Sequence, residues 1–289
     1  MPIALIITTA VPVGVLAAVL CAAVLHALWN AIAHAITDRL MLFAIIGAAS
    51  TVCALGIVLA APAPARAAWP YLGVSATLHV GYNLLLMRCY RLGDFSQVYP
   101  LARGTSPWLV AVAAYVFAGE SLTATGWLGV VVVSVGLASL VFAGQMPTRA
   151  QHPAIAAALL TGIVIAAYTT TDGIGVRHAD TAAGYIGWLF LIQSPVMPLF
   201  AVAVRGRQMW RQARPHLGAG LAGALLSVSA YGLVLWAQTR GALAPIAALR
   251  ETSVIVGAII GAWVFHERFG RWRIVATVLV ATGAVLISL

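Results

Sequence analysis

Ten stretches of about twenty mostly apolar residues fill nearly all of the 289-residue chain, and the second five read as a repeat of the first five. No other feature narrows the possible folds as far. A repeat with an odd number of spans enters the membrane in opposite orientations. Inverted repeats of this kind build a central site with two alternating exits. The chain is 62% hydrophobic and 8% charged, with a mean hydropathy of +1.00, a balance that no soluble core absorbs.

Runs long enough to span place helices near Val13–Ala35, Leu40–Ala60, Trp69–Tyr90, Phe95–Phe117, Leu122–Phe142, Pro153–Gly173, Thr181–Val204, Leu217–Thr239, Ala242–Phe265 and Trp272–Leu289. The predicted fold class is therefore an all-α integral membrane bundle of ten transmembrane helices in two inverted five-helix repeats. Residues 1–143 form the first repeat, 144–152 a linker and 153–289 the second. The longest connections, Gly144–His152 and Arg205–His216, are too short to hold a soluble catalytic domain. No arginine or lysine precedes Arg39, so the amino-terminal apolar run reads as the first span rather than a removed signal.

The net charge of +9 comes from arginine alone, because the chain has no lysine. A pI near 10.2 would suggest nucleic acid in a soluble protein. Here most arginines sit at membrane edges and report topology instead. Arg39, Arg88, Arg91, Arg149, Arg205, Arg207, Arg211, Arg214, Arg268, Arg271 and Arg273 follow odd-numbered spans, whereas Arg66, Arg177 and Arg240 lie on the other side. The positive-inside rule makes the arginine-rich face cytoplasmic and both termini external, in a bacterial inner membrane. Cys21, Cys53 and Cys89 fit neither a disulfide framework nor a metal site and read as packing residues.

The ends of the two halves match without a gap. Arg103, Thr105, Ser106, Glu120 and Gly136 meet Arg250, Thr252, Ser253, Glu267 and Gly283 at one constant offset. The starts match less well, with Trp29-Asn30 roughly opposite Tyr168-Thr169. Several polar residues fall inside spans, where a charge costs at least ~2.5–3.5 kcal/mol and so faces a cavity or a partner. His26, Asn30 and His34 share one face of the first span. His79, Asn83 and Tyr90, with Tyr82 beside them, do so in the third. Tyr99, Arg103 and Ser106 follow in the fourth, Tyr168 and Asp172 in the sixth, and Arg250 and Glu251 in the ninth. These stripes point to one shared wet cavity.

Three motifs together resemble the EamA-type branch of the drug/metabolite transporter superfamily. They are His26-Ala-Leu-Trp29-Asn30, Tyr168-Thr-Thr-Thr-Asp172-Gly-Ile-Gly-Val-Arg177, and Ala248-Leu-Arg250-Glu251-Thr-Ser253 with Glu267 beyond it. The resemblance spans the chain and implies a ten-helix bundle that moves metabolites, amino acids or toxic organic compounds, commonly outward.

On this reading the substrate-binding candidates are His26, Trp29, Asn30, His79, Tyr82, Asn83, Tyr99, Arg103, Tyr168, Asp172, Arg250 and Glu251. Glu251, Asp172 and His26 are the candidates for carrying a proton. Each has a plainer role available. His26 and Asn30 can serve as an interhelical hydrogen bond worth ~0.6–2 kcal/mol, His34 and His79 as interfacial residues, and the charges as inert ion pairs. Arg250 and Glu251 are sequence neighbours whose side chains diverge by about 100°, so Glu251 is expected to pair with Arg103 and Asp172 to approach Arg250. Glu120 and Glu267 precede the fifth and tenth spans and read as caps for them. Pro100, Pro107 and Pro245 are expected to interrupt helical bonding. Tyr185, Tyr231 and Trp236 join the cavity aromatics, and Gly257-Ala-Ile-Ile-Gly261 is expected to pack within the bundle.

The function expected is secondary transport of a small metabolite, amino acid or amphiphilic compound by alternating access. Proton-coupled antiport and facilitated diffusion both fit. The alternative is a flippase for a polyisoprenoid-linked sugar or lipid, since the superfamily includes such carriers. There is no phosphate-binding loop, no Gly-x-Ser-Gly nucleophile and no cofactor motif, so an enzyme is not expected. A small solute and the bilayer are the expected partners, with the protein a monomer or homodimer.

Overall fold

A computed structural model describes residues 11–35, 38–92, 95–140, 151–206, 208–263 and 270–289. Among them the helices are α1 (Val13–Ala35), α2 (Arg39–Ala60), α3 (Trp69–Leu92), α4 (Phe95–Ala118), α5 (Ala124–Ser139), α6 (His152–Arg177), α7 (Ala182–Gln193), α8 (Val196–Arg205), α9 (Gln208–Ala213), α10 (Leu217–Gln238), α11 (Leu243–Arg250), α12 (Ser253–Trp263) and α13 (Arg271–Ser288). Each span read from the sequence has a helix or a pair of helices at its place. Eight segments are long and apolar enough to cross a bilayer. α5 is shorter, at 16 residues, and α3 falls outside the eight because His79, Asn83, Arg88 and Arg91 dilute its apolar character.

Helix is the secondary structure these segments can adopt in lipid, because it satisfies every backbone donor within its own segment. The outer surface carries Val52, Leu59, Val116, Phe117, Leu199 and Val204, all well exposed, as a lipid-facing surface requires. Inside, small residues dominate and let the helices approach closely. Side-chain oxygens close several helix starts: Asp38 accepts from the Met41 amide at 3.1 Å, Thr123 from Gly126 at 3.1 Å and Thr181 from Gly184 at 3.1 Å.

The packing pairs follow the repeat. α3 lies against α6 as α1 lies against α10, and α4 against α6 as α1 lies against α11 and α12. α5 packs on its own counterpart α13, and α2 on α7 and α8. The α5–α13 crossing is closed by glycine. A Cβ on Gly283 would stand 2.7 Å from the Gly129 carbonyl oxygen, and one on Gly136 3.3 Å from that of Ala276. The repeat offset carries the second of these contacts onto the first.

Three sequence expectations change. The seventh span is two helices, α7 and α8, divided at Ser194–Pro195, and the ninth is α11 and α12, divided at Glu251–Thr252. Pro245 sits in the first turn of α11, where a missing amide hydrogen matters little, whereas Pro100 and Pro107 lie inside α4, which continues as one helix although each lacks the amide hydrogen of its own helical bond. Among the described residues no atom outside its own helix comes within 4 Å of a Cβ added to Gly257, so it makes no close packing contact with them. Glu267, linker residues 144–150 and the side chains of His34, Tyr90 and Gly261 lie outside what is described.

Candidate functional site

A cavity of about 150 Å³ lies at the centre of the bundle, walled by helices from both halves of the chain. Of the residues singled out from sequence, His26, Trp29, His79, Tyr82, Asn83, Arg103, Tyr168 and Arg250 line it. Asn30, Tyr99, Asp172 and Glu251 do not. Asn30 turns back on its own helix, its Nδ2 donating to the His26 carbonyl at 2.7 Å, while Trp29 Nε1 donates to His26 Nδ1 at 3.1 Å. Tyr99 lies under the Arg103 guanidinium, 5.9 Å from ring centre to Cζ.

His79 is not interfacial. α3 continues to Leu92, so His79 falls near its middle and is buried, with its ring centre 4.0 Å from that of Tyr168. Tyr82 and Tyr231 extend this aromatic wall, at 5.6 Å from Tyr168 and 5.3 Å from His79.

Glu251 is fully buried at the point where α11 gives way to α12. There the Glu251 and Thr252 amides donate to Ala248 and Leu249, three residues back, at 3.1 Å each. This tight turn points the Glu251 carboxylate toward α4, and Arg103 Nε approaches its Oε2 to 2.7 Å, an ion pair without full hydrogen-bond geometry. Arg103 Nη2 also reaches Ser253 Oγ at 3.4 Å. The two residues expected to pair across the repeats therefore meet. Arg250, only 4% exposed, has Nη2 3.8 Å from Glu251 Oε1. Its Nε and Nη2 have no hydrogen-bond partner among the described residues.

Asp172 does not pair with Arg250 as expected. It is fully buried and accepts hydrogen bonds from Tyr185 Oη at 2.9 Å and Tyr231 Oη at 2.5 Å, with His79 Nε2 3.4 Å from Oδ2. The face of α6 that carries it turns toward α7 and α10, which supply the two phenols. Tyr185 and Tyr231 were legible as cavity aromatics, but only Tyr231 lines the void, and their shared grip on a carboxylate was not foreseen. Trp236 stands away from the cavity, under the Arg240 guanidinium at 4.3 Å. Ser50, Gln193, Ser194 and Ser227 also line the void and were missed. The signal for Gln193 and Ser194 was Pro195, which ends α7 beside them.

Glu120 serves another helix than the one expected. Thr123 caps α5, whereas Glu120 Oε2 accepts the first amide of α11, Leu243 N–H, at 2.7 Å. Its Oε1 lies 2.7 Å from Arg177 Nη1. Arg177 in turn donates to the Gln238 carbonyl at 2.8 Å and the Gly241 carbonyl at 2.7 Å, tying together the ends of α4, α6 and α10 and the start of α11. At the opposite ends of the helices Arg205 grips Asp38 with both terminal nitrogens. Those hydrogen bonds hold the Asp38 carboxyl below its usual pKa.

Residues 152–289 match the model of the EamA-like transporter family. The carboxy-terminal half of the chain is EamA-like. That match ties residues 152–289 to a family of membrane transporters within the drug/metabolite transporter superfamily, and the eight apolar segments mark a multi-pass membrane protein. One solved structure, a crystal structure of a protein, superposes on this chain with a TM-score of 0.74 at 15% identity, covering 94% of this chain and 98% of that one. At that identity the likeness speaks for the fold alone. No curated protein matches it by sequence.

Proposed function

We propose that this chain is an EamA-type secondary transporter that exports a small solute by alternating access. Residues 1–143 and 153–289 act as the two moving repeats, joined by 144–152, with the central cavity as the site. The observation that carries this reading is the cavity's wall. It carries charged and polar side chains among apolar and aromatic ones, lies in the middle of a lipid-facing bundle, and is assembled from helices of both halves around broken helices, the arrangement that carriers use at the membrane midplane. The arginine distribution supports a cytoplasmic face carrying Asp38 and Arg205 and an external face carrying Glu120 and Arg177. A volume of about 150 Å³ supports a small solute over a polyisoprenoid-linked sugar.

Asp172 is the better proton carrier of the candidates. It touches His79, Tyr185 and Tyr231, two of which line the void, whereas Glu251 is tied to Arg103. The test is flux of labelled amino acids and organic acids into proteoliposomes, with and without an imposed pH gradient. Saturable flux driven by the gradient is expected, and Asp172→Asn should remove the drive while leaving exchange between the two sides. Scrambling of a lipid-linked sugar with no flux of any soluble compound would overturn the reading.

A further inference from the structure

We propose that the solute is an organic anion, a carboxylate or phosphoryl head group on a flat apolar body, with Arg250 holding the head group. This deepens the transporter reading and rests on it. Among the described residues that line the cavity are Arg103, Arg250, His26 and His79, and neither an aspartate nor a glutamate. The two carboxylates nearby stand behind the wall and are engaged. Asp172 takes two phenol hydrogens, and Glu251 faces Arg103. Positive groups therefore face the void and negative ones lie behind them. An ammonium or amidinium solute entering here would meet two guanidiniums and no acid.

Arg250 is the group left over. Arg103 has Glu251 at 2.7 Å and Ser253 at 3.4 Å, but among the described residues Arg250 has only the far side of the same carboxylate at 3.8 Å. One glutamate is thus shared between two arginines, which leaves one buried positive charge without a counter-charge of its own among the described residues. A guanidinium buried to this degree with Nε and Nη2 unpartnered is costly. Its planar fork fits a carboxylate or phosphoryl group held by two parallel hydrogen bonds. The body of the solute has the aromatic faces of Tyr82, Tyr168 and Tyr231 beside it, and a volume of roughly 150 Å³ accommodates one benzene ring.

The isosteric trio benzoate, benzamide and benzamidinium, together with phenylphosphonate, tests this on the purified full-length chain in detergent, with the unfolding midpoint titrated against each compound. Benzoate, phenylphosphonate or both should stabilise the protein, with binding about tenfold or more tighter than benzamide and no stabilisation by benzamidinium. Which anion binds identifies the head group. Arg250→Gln should weaken anion binding by about tenfold or more and leave benzamide unchanged, while Arg250→Lys recovers part of the loss. The comparison on the unaltered chain stands even if a variant fails to fold. Benzamidinium or benzamide binding as tightly as benzoate, binding by none of the four, or full anion binding in a folded Arg250→Gln protein would overturn the proposal. Flux of a cation alone in proteoliposomes would overturn it while leaving the transporter reading intact, whereas absence of flux for solutes of every charge would remove that reading instead.

Discussion

Arg103 and Glu251 come from opposite halves of the chain and are each almost fully buried, so neither can be neutralised by water when its partner is lost. Glu251→Gln, which leaves the buried Arg103 and Arg250 without their shared carboxylate, should therefore destabilise the protein by roughly 3–5 kcal/mol, and Arg103→Gln, which frees Glu251 for Arg250, by less. Unfolding of the three proteins in detergent measures both. If Glu251→Gln were no more damaging than Arg103→Gln, the shared carboxylate would not be the source of the loss. These charges were legible in the sequence because lipid makes any buried charge conspicuous. Their partners were less so. The Arg103–Glu251 pair followed from the repeat, but the phenols on Asp172 depend on how α6 is rotated about its axis, which residue spacing alone does not fix. Ser50 and Ser227 gave no signal, since a serine in a span serves equally well as a bond between neighbouring helices.

Helix boundaries were read to within a few residues because each span is a sustained apolar run. The interruptions were not. At Glu251–Thr252 no glycine or proline marks the break, and the chain turns where a buried carboxylate must reach another helix. The glycines show the same limit. The identity of Gly136 and Gly283 was visible as part of the repeat, yet only the α5–α13 crossing explains it. A side chain at 283 meets a backbone oxygen, which cannot swing aside, whereas one at 257 meets nothing among the described residues. Gly283→Ala should cost about 1–3 kcal/mol through overpacking, and Gly257→Ala should stabilise by roughly 0.4–1 kcal/mol through helix propensity and a stiffer unfolded chain. Paired unfolding measurements check the opposite signs, and a neutral Gly283→Ala would show that the two helices can part without loss.

Across the whole molecule, charged ties stand at both ends of the bundle, Arg205–Asp38 at one and Arg177–Glu120 at the other. The Asp38 pKa is lowered in the folded state, chiefly by hydrogen bonds from Arg205, so its contribution is present above the unfolded value of about 3.9 and fades as pH falls through the lower folded one. With the side chain 39% exposed, solvent screening limits it to at most about 1 kcal/mol. The difference in unfolding midpoint between the native chain and Asp38→Asn, which keeps the helix cap, should be constant from about pH 7 to 5, shrink below about pH 4 and diminish in salt. A difference that grew on acidification would contradict the tie.

The opposite tie differs in kind, because Glu120 also holds the leading amide of α11. Drawing that helix away from α4 strips a hidden N–H of its acceptor, a loss of about 1–3 kcal/mol unless water takes the vacated place. Under the alternating access proposed above, parting of the helices at that end is consequently favoured when water enters with it, so opening and wetting there are coupled.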